Sequence, residues 1–507
     1  MNRRDFLGAA GCGMASLTGA KSLAQAVGIA GQKRPNILFI MSDDHARNAV
    51  SCYGGILSSV FQTPNIDRIA NEGVRLDNCF VTNSICSPSR AVILTGKYSH
   101  LNGQAVNYIK FDGSQQTVPK LLQQAGYQTA MIGKWHLRGE PTGFDYWNIL
   151  PAQGRYINPQ FMEMELIPKT REGYVTTITT DIAIDWLENK RDKTRPFFMM
   201  CHNKAPHEAW EMDPADEGMF DGVEFPEPET IYDDYKNRAT QVLKDKGLTV
   251  YPTLGKKMAD KWPERRALDL TGVTDKQEAI SKSYQHFMKY YLGSIHSVDK
   301  NVGRLLDYLE QEGLLDDTLV MYTSDNGMFL GEHSWYDKRM MYEESIEVPL
   351  IARYPKEIKP GTVSDAICLN LDFPETFLDY AGVPVPPDMQ GRSLRPVLGR
   401  QEPADWRESM FYAYYEHTSQ YGVRTKRYKL ICYSAGEYDM FDLQKDPMEL
   451  KSVYNDPEYA DVRRNLEAEI VKLRKQYHIQ DQDLPGNWEE LHQDLLNPSP
   501  EEKKEYH

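Results

Sequence analysis

Two short polar clusters open the case for chemistry in this chain: Ser42-Asp43-Asp44-His45 and Thr323-Ser324-Asp325-Asn326-Gly327. Each follows an apolar run, so each is expected to hang from the end of a buried strand. Adjacent carboxylates there repel each other strongly unless a cation sits between them, and oxygen donors of this kind suit a hard ion such as Ca²⁺, with Mg²⁺ as the alternative. Either cluster alone reads equally well as a helix cap or a solvated acid pair. If the two strands are neighbours, Asp43, Asp44, Asp325 and Asn326 converge, and a metal site becomes the stronger reading.

The most specific segment is Cys86-Ser87-Pro88-Ser89-Arg90-Ala91-Val92-Ile93-Leu94-Thr95-Gly96. Pro88 suits the first turn of a helix that Ala91 to Leu94 continue. Residue 86 then falls at or just before a helix N-terminus, where backbone N–H groups favour anionic chemistry. An isolated Cys before a helix is usually a small buried hydrophobe. The chain's seven cysteines are scattered and form no CxxC pair, which argues against a disulfide scaffold or a zinc ribbon. A Cys set among Ser, Pro and Arg therefore needs its own explanation.

These clusters must be positioned by the elements around them. Ile37 to Met41, Thr129 to Ile132, Phe197 to Met200, Leu319 to Tyr322 and Pro349 to Ala352 are apolar runs of strand length. Helical spacing separates them, as in Asn65 to Ala70, Val118 to Ala125, Asp181 to Glu188 and Gln277 to Glu312. Strands alternating with helices imply an α/β fold: a large, mostly parallel sheet sandwiched by helices, with its ligand beyond the carboxyl ends of the strands. Between Ala209 and Leu270 the pattern weakens into acidic, Pro-containing sequence, read as an insertion over one face. After Leu394 come Met410 to Tyr415, Tyr421 to Cys432 and Glu437 to Leu443, which predict a smaller C-terminal antiparallel sheet. A charged helix, Tyr459 to Tyr477, packs on it through Val462, Leu466, Ile470 and Leu473. The resulting division is a catalytic domain over 35–394, an α+β subdomain over 395–485 and a polar tail over 486–507.

The pattern CxPxR followed by Thr95-Gly96 resembles the type I, formylglycine-dependent sulfatases of the alkaline phosphatase superfamily, and the resemblance runs over nearly all of the chain after residue 35. In that family the Cys is oxidised to formylglycine (3-oxoalanine) by a maturation enzyme that reads the segment itself. The resemblance implies Asp43, Asp44, Cys86, Asp325 and Asn326 at the metal, and Arg90 beside the nucleophile. It also implies that Lys134 and His136, in Gly133-Lys134-Trp135-His136, meet the sulfate, as does Lys338 in Asp337-Lys338-Arg339. His207, in Ala205-Pro206-His207, is the second active-site histidine; where the family often has Pro two residues later, this chain has Ala209.

The chemistry so implied is hydrolysis of a sulfate ester. Hydrated formylglycine at position 86 supplies the nucleophilic oxygen, Lys134, Lys338 and the metal neutralise the sulfuryl oxygens, His207 protonates the leaving group, and His136 takes a proton so that sulfate is expelled. Gln153-Gly154-Arg155-Tyr156 and Tyr414-Tyr415-Glu416-His417 offer polar and aromatic contacts for a sugar ring, with Gln153, Arg155 and His417 as the candidate contacts. With the Asp337 to Glu343 segment they resemble bacterial N-acetylglucosamine-6-sulfatase-like glycan sulfatases. A 6-O-sulfated glucosamine residue is therefore the first expectation. Another sulfated sugar, a phosphoester hydrolase of the same superfamily, and a non-catalytic sulfoglycan-binding protein with unmodified Cys86 are the alternatives.

A net charge of −15 over 507 residues argues against nucleic acid as a partner, yet leaves a locally basic pocket free to take a small anion. Arg3-Arg4-Asp5-Phe6-Leu7, an apolar run and Ala24-Gln25-Ala26 predict a twin-arginine type signal over 1–26 and a periplasmic or secreted protein, with lipidation at Cys12 as a minor alternative. No later run is long enough for a transmembrane segment, which needs about 20 apolar residues.

Overall fold

A computed structural model describes residues 34–239, 243 and 247–496. The expected signal over 1–26, Cys12 and the end of the tail beyond 496 lie outside the described residues. No helix among the described residues is long and apolar enough to cross a membrane.

The apolar run near the start forms strand β1 (Asn36–Ser42). Its side chains alternate between two cores: Ile37, Phe39 and Met41 pack on one face of the sheet, Leu38 and Ile40 on the other. A continuous apolar run is what a strand buried on both faces requires. Burying five such side chains contributes on the order of 10 kcal/mol, at about 2 kcal/mol each. Repulsion between two carboxylates about 4 Å apart is about 4 kcal/mol near a protein surface. The packed strand can therefore hold acidic residues at its end.

The large sheet has ten strands. In chain order they are β1, β2 (Val74–Leu76), β3 (Gln128–Lys134), β4 (Tyr146–Leu150), β5 (Gln160–Glu163), β6 (Lys169–Thr170), β7 (Phe197–His202), β8 (Thr318–Ser324), β9 (Leu350–Arg353) and β10 (Thr362–Ser364). In space they run β10-β2-β9-β8-β1-β7-β3-β4-β5-β6. The centre, β8-β1-β7-β3-β4, is parallel throughout, and the antiparallel neighbours lie outside it. The expected sheet is thus present, with its parallel portion where the polar clusters are.

One glycine allows the central strands to approach. Gly133 in β3 has φ 94°, and a Cβ there would sit 2.0 Å from the carbonyl oxygen of His202 in β7. Gly133→Ala combines overpacking, about 1–3 kcal/mol, with a left-handed non-glycine residue, about 1–2 kcal/mol. We expect a loss of about 3 kcal/mol in denaturant unfolding; a change below about 1 kcal/mol would show that the strands can move apart.

Beyond the sheet the structure departs from the sequence reading in three places. The acidic segment after Ala209 is better packed than its composition suggests. Trp210, Phe220, Phe225, Leu254, Met258 and Trp262 build a core with the long helix Lys276–Gln311; these apolar residues are spaced irregularly and so give no periodic signal. The run Tyr421 to Cys432 folds into two strands. The C-terminal sheet is β11 (Ser409–Tyr414), β12 (Gln420–Thr425), β13 (Tyr428–Tyr433) and β14 (Tyr438–Asp442), antiparallel throughout. The polar tail expected from 486 begins instead as a helix, Pro485–Leu491, whose Trp488 is buried against Tyr415. A single aromatic anchors a segment that composition alone marks as solvated. The C-terminal sheet shares one core with Phe80, Ile85, Val92 and Met340 to Tyr342, and so abuts the helix that carries Cys86.

Candidate active site

The polar clusters meet because their strands are neighbours in register. Ser42 of β1 pairs with Ser324 of β8, so Asp43-Asp44 and Asp325-Asn326 emerge side by side. The Asp44 N–H donates to Asp325 Oδ1 at 3.1 Å, and Asn326 Nδ2 donates to Asp44 Oδ1 at 3.3 Å. Asp44 has φ 62°, a conformation costing a non-glycine residue about 1–2 kcal/mol and sustained here by the packed strand behind it.

Cys86 is the first residue of helix α1 (Cys86–Thr95), whose ten residues are all buried. The helix closes on Gly96 at φ 64°, the left-handed C-terminal turn that glycine favours. At its start the free N–H of Ser87 donates to Asn107 Oδ1 at 3.0 Å. Cys86 Sγ lies 3.7 Å from Asn326 Nδ2. One donor atom each from Asp43, Asp44, Cys86 and His207 lies within 4.8 Å of the others. Burial, opposed by Lys338 and reinforced by Asp43 and Asp44, pushes the Cys86 thiol well above its usual range. An unmodified Cys86 is therefore a protonated thiol and a poor nucleophile.

The acidic cluster fits a hard divalent cation. Asn326 Oδ1 and Asp43 Oδ1 are buried and accept no hydrogen bond, Asp43 Oδ1 having only the Arg90 guanidinium at 3.5 Å, and such oxygens are costly to bury unless something coordinates them. Three carboxylates and an amide oxygen form the donor set that Ca²⁺ or Mg²⁺ prefers. Burial, with Asp43 next, raises Asp325 to about 7, although Arg90 opposes the shift. Asp43 itself is held well down, because Lys134, His207 and Arg90 outweigh its burial.

The expected cations surround this cluster. Arg90 Nε donates to Asp325 Oδ2 at 2.9 Å and its Nη1 to the Lys134 carbonyl at 2.6 Å. Lys134, the last residue of β3, pairs with Asp43 and donates to Gln153 Oε1 at 2.5 Å. Lys338 donates to Asp44 Oδ2 at 2.5 Å.

Two histidines complete the floor. His136 follows β3 with φ 54°, and its Nε2 is buried without a hydrogen-bond partner. His207 Nδ1 lies 2.6 Å from the Glu208 carbonyl, which can only accept, so Nδ1 carries the proton and Nε2 faces Asp44 Oδ2 at 3.7 Å. Burial, with Lys134 next, holds both imidazoles well below histidine's usual range.

Above the floor opens a cavity of about 530 Å³, within the range of small-molecule sites, roughly 300–1,000 Å³. Gln153 and Arg155, two of the three expected sugar contacts, line it. His417 does not. It is exposed on the loop after β11, away from the lining. The strand ends at Tyr414, and in the bend that follows Glu416 Oε2 accepts from Arg339 at 3.1 Å while His417 is exposed. Tyr414 and Tyr415 are fully buried rather than stacking faces. Tyr414 Oη accepts from Arg339 at 3.0 Å, and Tyr415 packs on Trp488.

Several wall residues carried no sequence signal of their own. Asn107, which caps the helix of Cys86, is held in turn by Glu416, whose Oε1 accepts its N–H at 2.9 Å. Lys204 is buried 4.8 Å from the Tyr156 ring centroid, and its burial first, with Lys134 next, lowers it to about 8. Lys257 reaches over from the insertion to pair with Glu208. Only Arg339 could have been found, from its place beside Lys338.

Comparison with known proteins now adds to this geometry. Residues 35–383 match the family described as Sulfatase, and residues 331–476 match the family described as N-sulphoglucosamine sulphohydrolase, C-terminal. The chain is 47% identical to an N-acetylglucosamine-6-O-sulfatase of Bacteroides thetaiotaomicron, over 89% of this chain and 88% of that protein. It is 29% identical to the human N-acetylglucosamine-6-sulfatase, over 76% of this chain and 68% of that one. A protein solved in complex with its substrate, D-glucosamine-2-N,6-O-disulfate, superposes with a TM-score of 0.84 at 46% identity, covering 89% of this chain and 99% of that one.

Proposed function

We propose, from the premise that this chain belongs to the sulfatase family, that its substrate is a glycan bearing 6-O-sulfate on N-acetylglucosamine or glucosamine. The chain is a sulfuric ester hydrolase, and its cleft must bind the ester, supply a nucleophile and protonate the leaving alkoxide. The observation that carries the reading is a mismatch within the site: a buried Cys at a helix start, its sulfur 3.7 Å from Asn326 Nδ2 and grouped within 4.8 Å with donor atoms of Asp43, Asp44 and His207, where oxygen donors would suit a hard cation and a thiol does not. Conversion of Cys86 to formylglycine by a maturation enzyme resolves it, since the hydrated aldehyde provides an oxygen nucleophile that a buried thiol does not.

The chain's own residues then have separable tasks. Asp43, Asp44, Asp325, Asn326 and residue 86 would hold a Ca²⁺ ion. Bound there, the ion would lower the proton affinity of the nucleophilic oxygen and offset charge on the sulfate. Arg90, fixed by Asp325 and the Lys134 carbonyl, orients residue 86. Lys134 and Lys338 each face a carboxylate of the cluster and lie where a sulfate's oxygens would be neutralised. His207, with its Nδ1–H donating to the Glu208 carbonyl, acts in its imidazolium form, which the charge of Asp43 favours, and gives its Nε2 proton to the leaving oxygen. His136, whose Nε2 has no hydrogen-bond partner, takes the proton that frees sulfate. Gln153 and Arg155 contact the sugar. The twin-arginine segment Arg3-Arg4 supports a periplasmic or secreted site of action.

The test is a panel of defined sugars with inorganic sulfate as the readout. We expect 6-O-sulfo-N-acetylglucosamine to be hydrolysed at least about 100-fold faster, by kcat/KM, than its 3-O-sulfo isomer or its 6-phosphate, because a misplaced ester loses the near-attack geometry. Preference for another sulfate position would overturn the substrate assignment and leave the sulfatase chemistry standing.

A further inference from the structure

The helix of Cys86 and the loop that carries Lys338 are both held from outside their own segments. Ile85, at the start of α1, makes no side-chain cap, so the N–H of Ser87 relies on Asn107 Oδ1 at 3.0 Å. Asp337 and Arg339, on either side of Lys338, have φ 76° and 92°, a backbone that residues with a Cβ keep only where their surroundings hold it. The C-terminal subdomain supplies the hold. Tyr412 and Tyr414 lie two residues apart on β11, so they share one of its faces. Tyr412 Oη donates to the Arg339 carbonyl at 2.8 Å, and Arg339 Nη1 donates to Tyr414 Oη at 3.0 Å. Glu416, two residues further on, reaches both segments. Its Oε1 accepts the Asn107 N–H at 2.9 Å, and its Oε2 accepts from Arg339 Nη1 at 3.1 Å and from Tyr414 Oη at 3.5 Å. Glu416 is 5% exposed and stands behind the cavity, whereas Asn107, Lys338 and Arg339 line it. With both oxygens committed, its carboxylate is a strut between two walls of the cleft and not a substrate contact.

We propose that Glu416 is a positioning residue for sulfate-ester cleavage: its carboxylate sets the distance between the start of the Cys86 helix, through Asn107, and the Lys338 loop, through Arg339. The proposal rests on reading residue 86 as the nucleophile and Lys338 as a sulfate ligand, and it gives the C-terminal subdomain a part in the reaction. Reacting atoms must stand about 3–3.5 Å apart, and an error of about 1 Å costs about 100-fold in rate. A carboxylate serves both donors because each of its oxygens only accepts. An amide of the same size accepts at one end and presents N–H groups to a donor at the other.

The test measures sulfate release from 6-O-sulfo-N-acetylglucosamine by wild type, Glu416→Gln, Asn107→Ala, the double variant and Leu473→Ala. Leu473, buried where the helix Ala460–Gln476 packs on the C-terminal sheet, controls for lost stability alone. We expect Glu416→Gln to lower kcat about 30-fold with KM within about twofold of wild type. Asn107→Ala leaves the pairing of Glu416 with Arg339 intact and should by itself lower kcat about tenfold. The double variant should lie within about threefold of Glu416→Gln, because both changes act on one helix start. Leu473→Ala should melt lower than wild type and keep kcat within about twofold. Hydrogen exchange reads the strut without turnover: in Glu416→Gln, peptides spanning Ser87 and Lys338 should exchange at least about fivefold faster than in wild type, and in Leu473→Ala they should not. The proposal is overturned by a kcat in Glu416→Gln within about threefold of wild type, by losses that multiply in the double variant, or by unchanged exchange at either peptide. Failure of wild type to release sulfate counts against the active-site reading, and the exchange result then still decides whether Glu416 braces the two segments.

Discussion

Cys86→Ala should abolish sulfate release, at least about 10⁴-fold and to the limit of detection, while the protein stays folded. The large effect follows from the division of labour in the site. In the proposed mechanism every other catalytic candidate binds, orients or moves a proton, and residue 86 alone supplies the atom that attacks sulfur. The small structural effect follows from its surroundings. Cys86 is buried, but its sulfur has one weak partner, Asn326 Nδ2 at 3.7 Å, so removing it should cost about 1 kcal/mol, as for a small buried truncation. Two measurements check this: sulfate release, and the mass of the active-site peptide. In active wild type that peptide should be about 18 Da lighter than its cysteine form, the difference between a thiol and an aldehyde side chain. Turnover within tenfold of wild type would end the nucleophile assignment. An unmodified thiol in fully active protein would end the formylglycine assignment.

Asp325→Asn should be the second most damaging change. We expect at least about a thousandfold loss of kcat/KM, on the order of 4 kcal/mol of transition-state stabilisation, through loss of the cation. The accompanying stability result distinguishes this from simple unfolding. Burial, with Asp43 next, raises Asp325 to about 7 against the pull of Arg90, whose Nε donates to its Oδ2 at 2.9 Å. A neutral amide there leaves buried Arg90 with Asp43, 3.5 Å away, as its remaining carboxylate in place of Asp325 at 2.7 Å, so with a chelator the variant should melt lower than wild type, and the response to added cation is the discriminating readout. Added Ca²⁺ should stabilise wild type, by about 2.7 kcal/mol at a hundred times the dissociation constant, and leave the variant nearly unmoved. A variant that still melts higher with Ca²⁺ would show that the ion sits elsewhere.

The same contrast between contiguous and assembled features separates what could be read early from what could not. Asp43-Asp44, Asp325-Asn326, Cys86 to Arg90, Lys134 to His136 and His207 were legible because each lies just beyond an apolar run or at a helix start. A parallel sheet delivers such positions to one edge whatever the rest of the fold does. Composition and spacing also carried the parallel core and the small antiparallel sheet. The walls of the cleft were not legible in this way. Lys257 reaches Glu208 from an insertion with irregular apolar spacing, and Glu416 reaches Arg339 and Asn107 across long stretches of chain. His417 is not at the cavity because residue type does not reveal how the bend after the strand turns, and Glu416 is the residue of that bend that meets Arg339 and Asn107. Tyr414 and Tyr415 went into the core for the same reason, as a tyrosine serves packing as well as it serves a sugar. The sequence by itself therefore determined the sulfatase class, because the residues proposed as nucleophile, metal ligands and cations sit in short motifs at strand ends. The tertiary structure alone decided which side chains enclose the sugar, because that depends on strand direction and on packing between segments far apart in the chain.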